Sequence, residues 1–193
     1  MAPPLFTLGH STRSIEELLG LLAEHRGELL VDVRRFPGSR RHPQFSREAL
    51  AGSLAGAGVD YIHEPDLGGR REPRPDSPNA AWRVAAFRGY ADYMDSEPFA
   101  AALRRLLQRA ARSRTTILCA EAVPWRCHRR LIADAATAHG VEVLHILGRG
   151  RIQRHELDPK ARVVPMPPRY GLVYDRARGA PRLPFPERDG EAR

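Results

Sequence analysis

The apolar residues of this chain come in short, nearly unbroken runs that alternate with stretches of helical period, and that alternation leaves few folds open. Leu5-Phe6-Thr7-Leu8, Glu28 to Arg34, Val59-Asp60-Tyr61-Ile62-His63, Thr115 to Cys119 and Val141 to Ile146 read as five strands. Their apolar content is close to continuous, as expected of parallel strands covered on both faces. Between them, Ser14-Ile15-Glu16-Glu17 forms a capping box ahead of Ile15, Leu18, Leu19 and Leu22, and Ser46 caps a helix that turns Ala49-Leu50 and Leu54 inward. Trp82 to Tyr93 and Pro98 to Arg112 complete the helical set before the fourth strand. The predicted fold is a single α/β domain of three layers, with a mostly parallel central sheet of about five strands and helices on both faces.

At 193 residues one core is the natural expectation. The domain is placed at residues 1–165, followed by a Pro- and Arg-rich tail over 166–193 that is only partly ordered, with one short strand at Gly171 to Tyr174. No apolar run is long enough to span a membrane and no secretory leader is visible, so a cytoplasmic location without membrane association is expected. The net charge is +8, carried by thirty arginines and the single Lys160. Guanidinium groups suit phosphates and carboxylates, which favours an anionic partner, a nucleotide or nucleic acid among them; a solvated basic surface is the plainer alternative.

In open parallel sheets ligands bind beyond the carboxyl ends of the strands. Four of the five strand exits carry polar residues: His10 and Ser11, then Asp32 and Arg34, then His63 and Glu64, then Cys119 and Glu121. The fourth exit is the densest. Cys119 to Arg130 brings two thiols, a carboxylate, an imidazole and three guanidinium groups together in twelve residues, and Pro124 marks the expected start of a helix.

Several of these segments taken together, Thr7-Leu8-Gly9-His10-Ser11, Leu30-Val31-Asp32-Val33-Arg34, Pro37-Gly38-Ser39 with Pro43-Gln44-Phe45, Leu67-Gly68-Gly69, Phe87-Arg88-Gly89-Tyr90 and Cys119-Ala120-Glu121 with Pro124 to Arg129, resemble the domain of unknown function 488 family. His145-Ile146 and His155-Glu156-Leu157 also fit, so the resemblance spans roughly residues 5 to 165. It implies an intracellular α/β domain with its signature residues on the sheet's rim, and no activity.

Two chemistries suit the rim, and a third is disfavoured. Asp32 and Glu121 form a carboxylate pair able to divide acid and base roles, with Cys119 or His10 assisting, while Ser11, Arg34, Glu64, Arg70, Arg88, Tyr90, Arg126, His128 and Arg129 hold the substrate. The competing use of those carboxylates is structural, in Asp32–Arg34 and Glu121–Arg129 ion pairs. A strand-Cys-loop-helix layout like that of rhodanese-like sulfurtransferases would make Cys119 a nucleophile, although Glu121 in the cradle would repel an anion. A metal held by Cys119, Cys127 and His128, with His10, is not expected, because adjacent residues on one helix diverge by ~100°.

Arg40, Arg41, Arg70, Arg71, Arg74, Arg83 and Arg88, interleaved with Phe45, Trp82, Phe87 and Tyr90, could also line a groove for phosphates and stacked bases. The leading expectation is an enzyme acting on an anionic substrate, with no cofactor assigned. A non-catalytic nucleic-acid or protein-binding module on the same rim is the alternative.

Overall fold

The computed structural model describes residues 3–38, 41–166 and 169–175. It contains the strands β1 (Leu5–Gly9), β2 (Leu29–Asp32), β3 (Asp60–His63), β4 (Thr115–Cys119), β5 (Val143–Gly148) and β6 (Arg151–Arg154), and the helices α1 (Ile15–Glu24), α2 (Arg47–Gly56), α3 (Ala85–Tyr93), α4 (Glu97–Ala110) and α5 (Arg129–Ala138). The six strands form one sheet in the order β3-β2-β4-β1-β5-β6. All neighbours run parallel except β6, which returns antiparallel along β5.

The side-chain alternation of the strands divides the core in two. Phe6, Leu8, Leu30 and Leu118 meet Leu18, Leu21 and Leu22 of α1 and Leu50 and Leu54 of α2 on one face. Leu5, Val31 and Ile117 meet Tyr90, Phe99, Leu103, Leu131 and Ile132 of α3, α4 and α5 on the other. This is the three-layer α/β arrangement the periodicity implies. Both expected caps form: Ser14 accepts from Glu17 N while Glu17 Oε2 accepts from Ser14 N at 2.8 Å, and Ser46 accepts from Ala49 N.

The sheet has one strand more than expected. β6, Arg-Ile-Gln-Arg, is exposed throughout and lacks the apolar alternation by which strands are recognised. The strand expected near Gly171 exists as β8 (Arg169–Tyr174), paired antiparallel with β7 (Ala161–Met166). This hairpin crosses the boundary placed at residue 165, and Leu172 and Tyr174 enter the main core. The remainder of the tail, 176–193, lies outside the described residues.

Two helix starts shift. α3 begins at Ala85 rather than Trp82, because Trp82 N closes a turn on Asn79 O and Val84 is extended. After β4, Pro124 opens only a 3-10 turn (Pro124–Arg126); Cys127 is extended at φ −134°, ψ 144°, and α5 starts at Arg129. Among the described residues no helix is long and apolar enough to cross a membrane.

The connections from β1 and β2 leave toward the α1/α2 face, whereas the connection from β4 leaves toward the α5 face. Strand β4 lies between β1 and β2, so its carboxyl end opens into a crevice between diverging chains. Such switch points are where open α/β sheets take their ligands.

Candidate functional site

The crevice is built first by backbone. His10 N and Ser11 N donate to Cys119 O and Ala120 O, each at 2.9 Å, and Val33 N donates to Leu118 O at 3.0 Å. The chain after β4 is thereby stitched to both neighbouring strand exits. Arg129 then fixes the loop beyond Ala120: its guanidinium, fully buried, donates to Glu121 O at 2.5 Å and Ala122 O at 2.9 Å. The ion pair considered between Glu121 and Arg129 does not form, because the arginine takes the Glu121 carbonyl and leaves the carboxylate to the crevice.

Four reactive side chains converge there. Cys119 Sγ lies 2.9 Å from Glu121 Oε2 and 3.8 Å from His128 Nδ1, and Cys127 Sγ also lies 3.8 Å from that nitrogen. One ligand atom from each of the four residues lies within 4.8 Å of all the others. The expectation that Cys127 and His128 diverge fails for a local reason: Cys127 is not on the helix, and its extended backbone turns the thiol back beside the imidazole. His128 Nε2 donates to Val33 O at 3.2 Å, which turns Nδ1 toward the sulfurs.

Burial and contact act on the four groups in opposite directions. The Cys127 thiol hydrogen-bonded to it, with the His128 imidazole alongside, holds Cys119 well below the ordinary thiol range in spite of its burial. Burial pushes Cys127 up, and the neighbouring Cys119 sulfur pushes it further. Partial enclosure of its carboxylate at the cavity base, then the adjacent Cys119 charge, raise Glu121 although the residue as a whole is exposed. For His128 burial works downward, but the Cys119 charge and hydrogen bond, the Glu121 charge and the Val33 carbonyl together outweigh it and the net shift is upward. Cys119 is thereby the more acidic of the two thiols.

A cavity of about 360 Å³ opens over the cluster, lined by Cys119, Glu121, Cys127 and His128 at its base and by Arg34, Arg35, Phe36, Gly69, Arg70, Phe87 and Arg126 around it. Arg70 and Arg126 are exposed and have no carboxylate partner among the described residues. Phe36 is 64% exposed.

The other expected site residues lie at the same end of the sheet but do different work. Asp32 is wholly buried. Its carboxylate accepts from Arg34 N (3.1 Å), Arg34 Nε (2.8 Å), Arg34 Nη2 (2.5 Å) and Tyr61 OH (2.9 Å), so no lone pair remains for a substrate. His10 donates from Nδ1 to Ser11 O and its Nε2 accepts from Arg34, while burial lowers its pKa to about 4. It stacks on Phe45 as a neutral ring. These two residues fasten Arg34 rather than face the cavity.

Glu64 points the other way. It is gripped by Arg105 (2.7 and 3.1 Å) and Arg109 (3.1 Å) of α4, which hold its carboxyl below the usual range despite burial. Tyr90 is buried, with its hydroxyl on Leu67 O, and its ring packs 5.0 Å from that of His128. Ser11 and Arg88 lie outside the cavity lining. Of the suggested aromatic groove, Phe45, Trp82 and Tyr90 are core and only Phe87 reaches the cavity; Arg40 lies outside the described residues.

Three contributors carry little signal in the sequence. Cys127 has the spacing to Leu131 of a core-facing helical residue, which masks its place in the cluster. Phe36 is a lone aromatic in a Pro/Gly/Arg loop. Asp92 of α3 gathers Arg74 N (2.8 Å), Ser77 Oγ (2.6 Å) and Asn79 Nδ2 (2.8 Å), thereby setting the long loop that carries Gly69 and Arg70.

A family model described as "Domain of unknown function DUF488" matches residues 14–136. That span holds α1 to α4, most of α5 and the whole reactive cluster. No curated protein and no solved structure matches the chain.

Proposed function

The chain belongs to the DUF488 family, whose name carries no activity, and we propose from the site alone that it is an enzyme acting on an anionic substrate, a nucleotide or nucleic acid, in the cavity at the end of β4. One observation carries this reading. Guanidinium groups without carboxylate partners among the described residues, Arg70 and Arg126, border the same cavity whose base holds Cys119, Glu121 and His128. Arginine without a partner next to reactive groups suits a phosphate to be held while something else happens to it.

In this reading Arg35, Arg70 and Arg126 hold the phosphate, and Phe36 and Phe87 offer flat apolar surface to a base. Glu121, raised above the usual carboxyl range, supplies the proton transfer, because a raised carboxyl is a stronger base and gives up its proton nearer neutral pH than an ordinary one. Asp32 and His10, catalytic candidates by sequence, become positioning residues that hold Arg34 and the strand exits.

Thermal-shift titration with nucleotides and short oligonucleotides tests the reading, since a ligand for the folded form raises Tm by mass action. A saturable rise is expected, lost in Arg126→Ala and kept in Glu121→Gln, with product formed only by the wild type. Binding without any product would favour the non-catalytic module. If none of these ligands raises Tm, the substrate class is wrong.

A further inference from the structure

We propose that Cys119, Glu121, Cys127 and His128 form a binding site for one divalent transition-metal ion, zinc above all. The ion deepens the proposed function by giving the reactive cluster a cofactor. Its role rests on that reading, but its existence does not.

A tetrahedral zinc with Zn–S of about 2.3 Å and Zn–N of about 2.0–2.1 Å has a sulfur-to-nitrogen edge of about 3.6 Å. Both sulfurs lie 3.8 Å from His128 Nδ1, so one ion fits between them with little rearrangement. The Cys119–Glu121 contact, at 2.9 Å, has only to open slightly, and Glu121 is the exposed member of the four.

The surroundings point the same way. His128 donates its other ring nitrogen to the Val33 carbonyl, as metal-bound imidazoles do to fix tautomer and direction. Gly69 lets the long loop lie flat against the face of the His128 ring, where a Cβ would stand 2.9 Å from Nδ1 and 3.2 Å from Cγ, and so holds the ring in this orientation. The chain also stays extended at Cys127, and the backbone there brings the second thiol to the imidazole.

The local charge is also suited to such an ion. Arg129 is fully buried, donates to two carbonyls, and its Nε has no partner among the described residues. A buried cation calls for a compensating anion. Two thiolates, one carboxylate and a neutral imidazole around a dication sum to one negative charge, which Arg129 balances from behind the Glu121 carbonyl.

Cys119, Cys127 and His128, the more enclosed ligands, would hold the ion permanently. Glu121, facing the cavity, would be the ligand that yields to water or to a substrate oxygen, as the open position of a catalytic zinc site does.

The test uses the full chain, purified without a histidine tag under reducing conditions. Elemental analysis is expected to find about one equivalent of zinc or another first-row transition metal per chain. After chelation, cobalt(II) should give a thiolate-to-metal charge-transfer band and strong tetrahedral ligand-field bands, which zinc abolishes. Cys127→Ser and His128→Ala should lose both signals, and Glu121→Gln should keep the ion. Should a variant fail to fold, the wild-type cobalt spectrum decides alone, because charge transfer reports sulfur ligation directly.

A folded wild-type protein with no bound metal and no charge-transfer band overturns the proposal. So does a metal retained in full by folded Cys127→Ser and His128→Ala. Arg126→Ala separates the two readings: it should keep the cobalt spectrum and lose the nucleotide shift. A nucleotide shift in a wild type that shows no cobalt spectrum would sink the ion alone.

Discussion

Gly9, at the end of β1, passes directly beneath the Glu121 carbonyl: a Cβ on Gly9 would fall 1.7 Å from that oxygen and 2.8 Å from Arg129 Nη1. Strand β1 therefore has to end in a residue without a side chain for the β4 loop to close over it. Gly9→Ala must lift the loop or break the Arg129 contacts. A loss of about 3 kcal/mol is expected, at the upper end of overpacking, together with loss of cobalt binding. Urea denaturation and the cobalt titration check it; a variant with wild-type stability and metal affinity would show that the loop is not pinned there.

Arg129 gives a second prediction. Its planar fork spans two carbonyls, Glu121 O and Ala122 O, and a lysine ammonium reaches only one. Arg129→Lys keeps the buried charge and leaves a carbonyl unsatisfied, at a cost of about 1–3 kcal/mol. The urea midpoint should fall accordingly. An unchanged midpoint would mean that one contact suffices to hold the loop.

The rim of the sheet is legible in the chain alone because parallel strands end where their apolar runs end, and His10, Asp32, Glu64 and Cys119 all stand just there. Their partners are not legible. Asp32 looks like an acid in waiting until Arg34 and Tyr61 are seen to use up its oxygens, and Glu64 is claimed by Arg105 and Arg109, more than forty residues away. Cys127 is hidden by Pro124, which signals a helix start and a 3-10 turn equally well. Exposed β6 has no apolar pattern to betray it, since an edge strand facing solvent is held mainly by its backbone bonds to β5.

Asp92 supplies a third prediction. Its carboxylate accepts three donors from residues 74–79, and Asn79 in turn accepts from Tyr174 N at 2.9 Å, tying the long loop to β8. In Asp92→Asn the amide would set a donor against a donor. A loss of about 2 kcal/mol is expected, with faster tryptic cleavage at Arg70 and Arg71. Equal cleavage rates in the variant and the wild type would show that the loop has other anchors.

Acid sensitivity gives the last. His145 lies in a buried chain of bonds: Thr7 Oγ1 to its Nδ1 (2.7 Å), its Nε2 to His155 Nδ1 (2.9 Å), and His155 Nε2 to Asp134 (2.9 Å). Burial, then the neighbouring His155, Arg129 and Arg130, lower its pKa to about 3. The folded protein thus keeps His145 neutral where the unfolded chain, titrating near 6.5, takes up a proton. The contribution is complete above about pH 6.5 and is lost as the pH falls from there toward 3, at ~1.4 kcal/mol per pH unit. Between about pH 6.5 and 5 the loss should be about 2 kcal/mol. His145→Gln, which retains a donor for His155 but does not titrate, should flatten the slope of unfolding free energy against pH by that amount. If wild type and variant fall in parallel over this range, His145 is not the group that sets the acid limit.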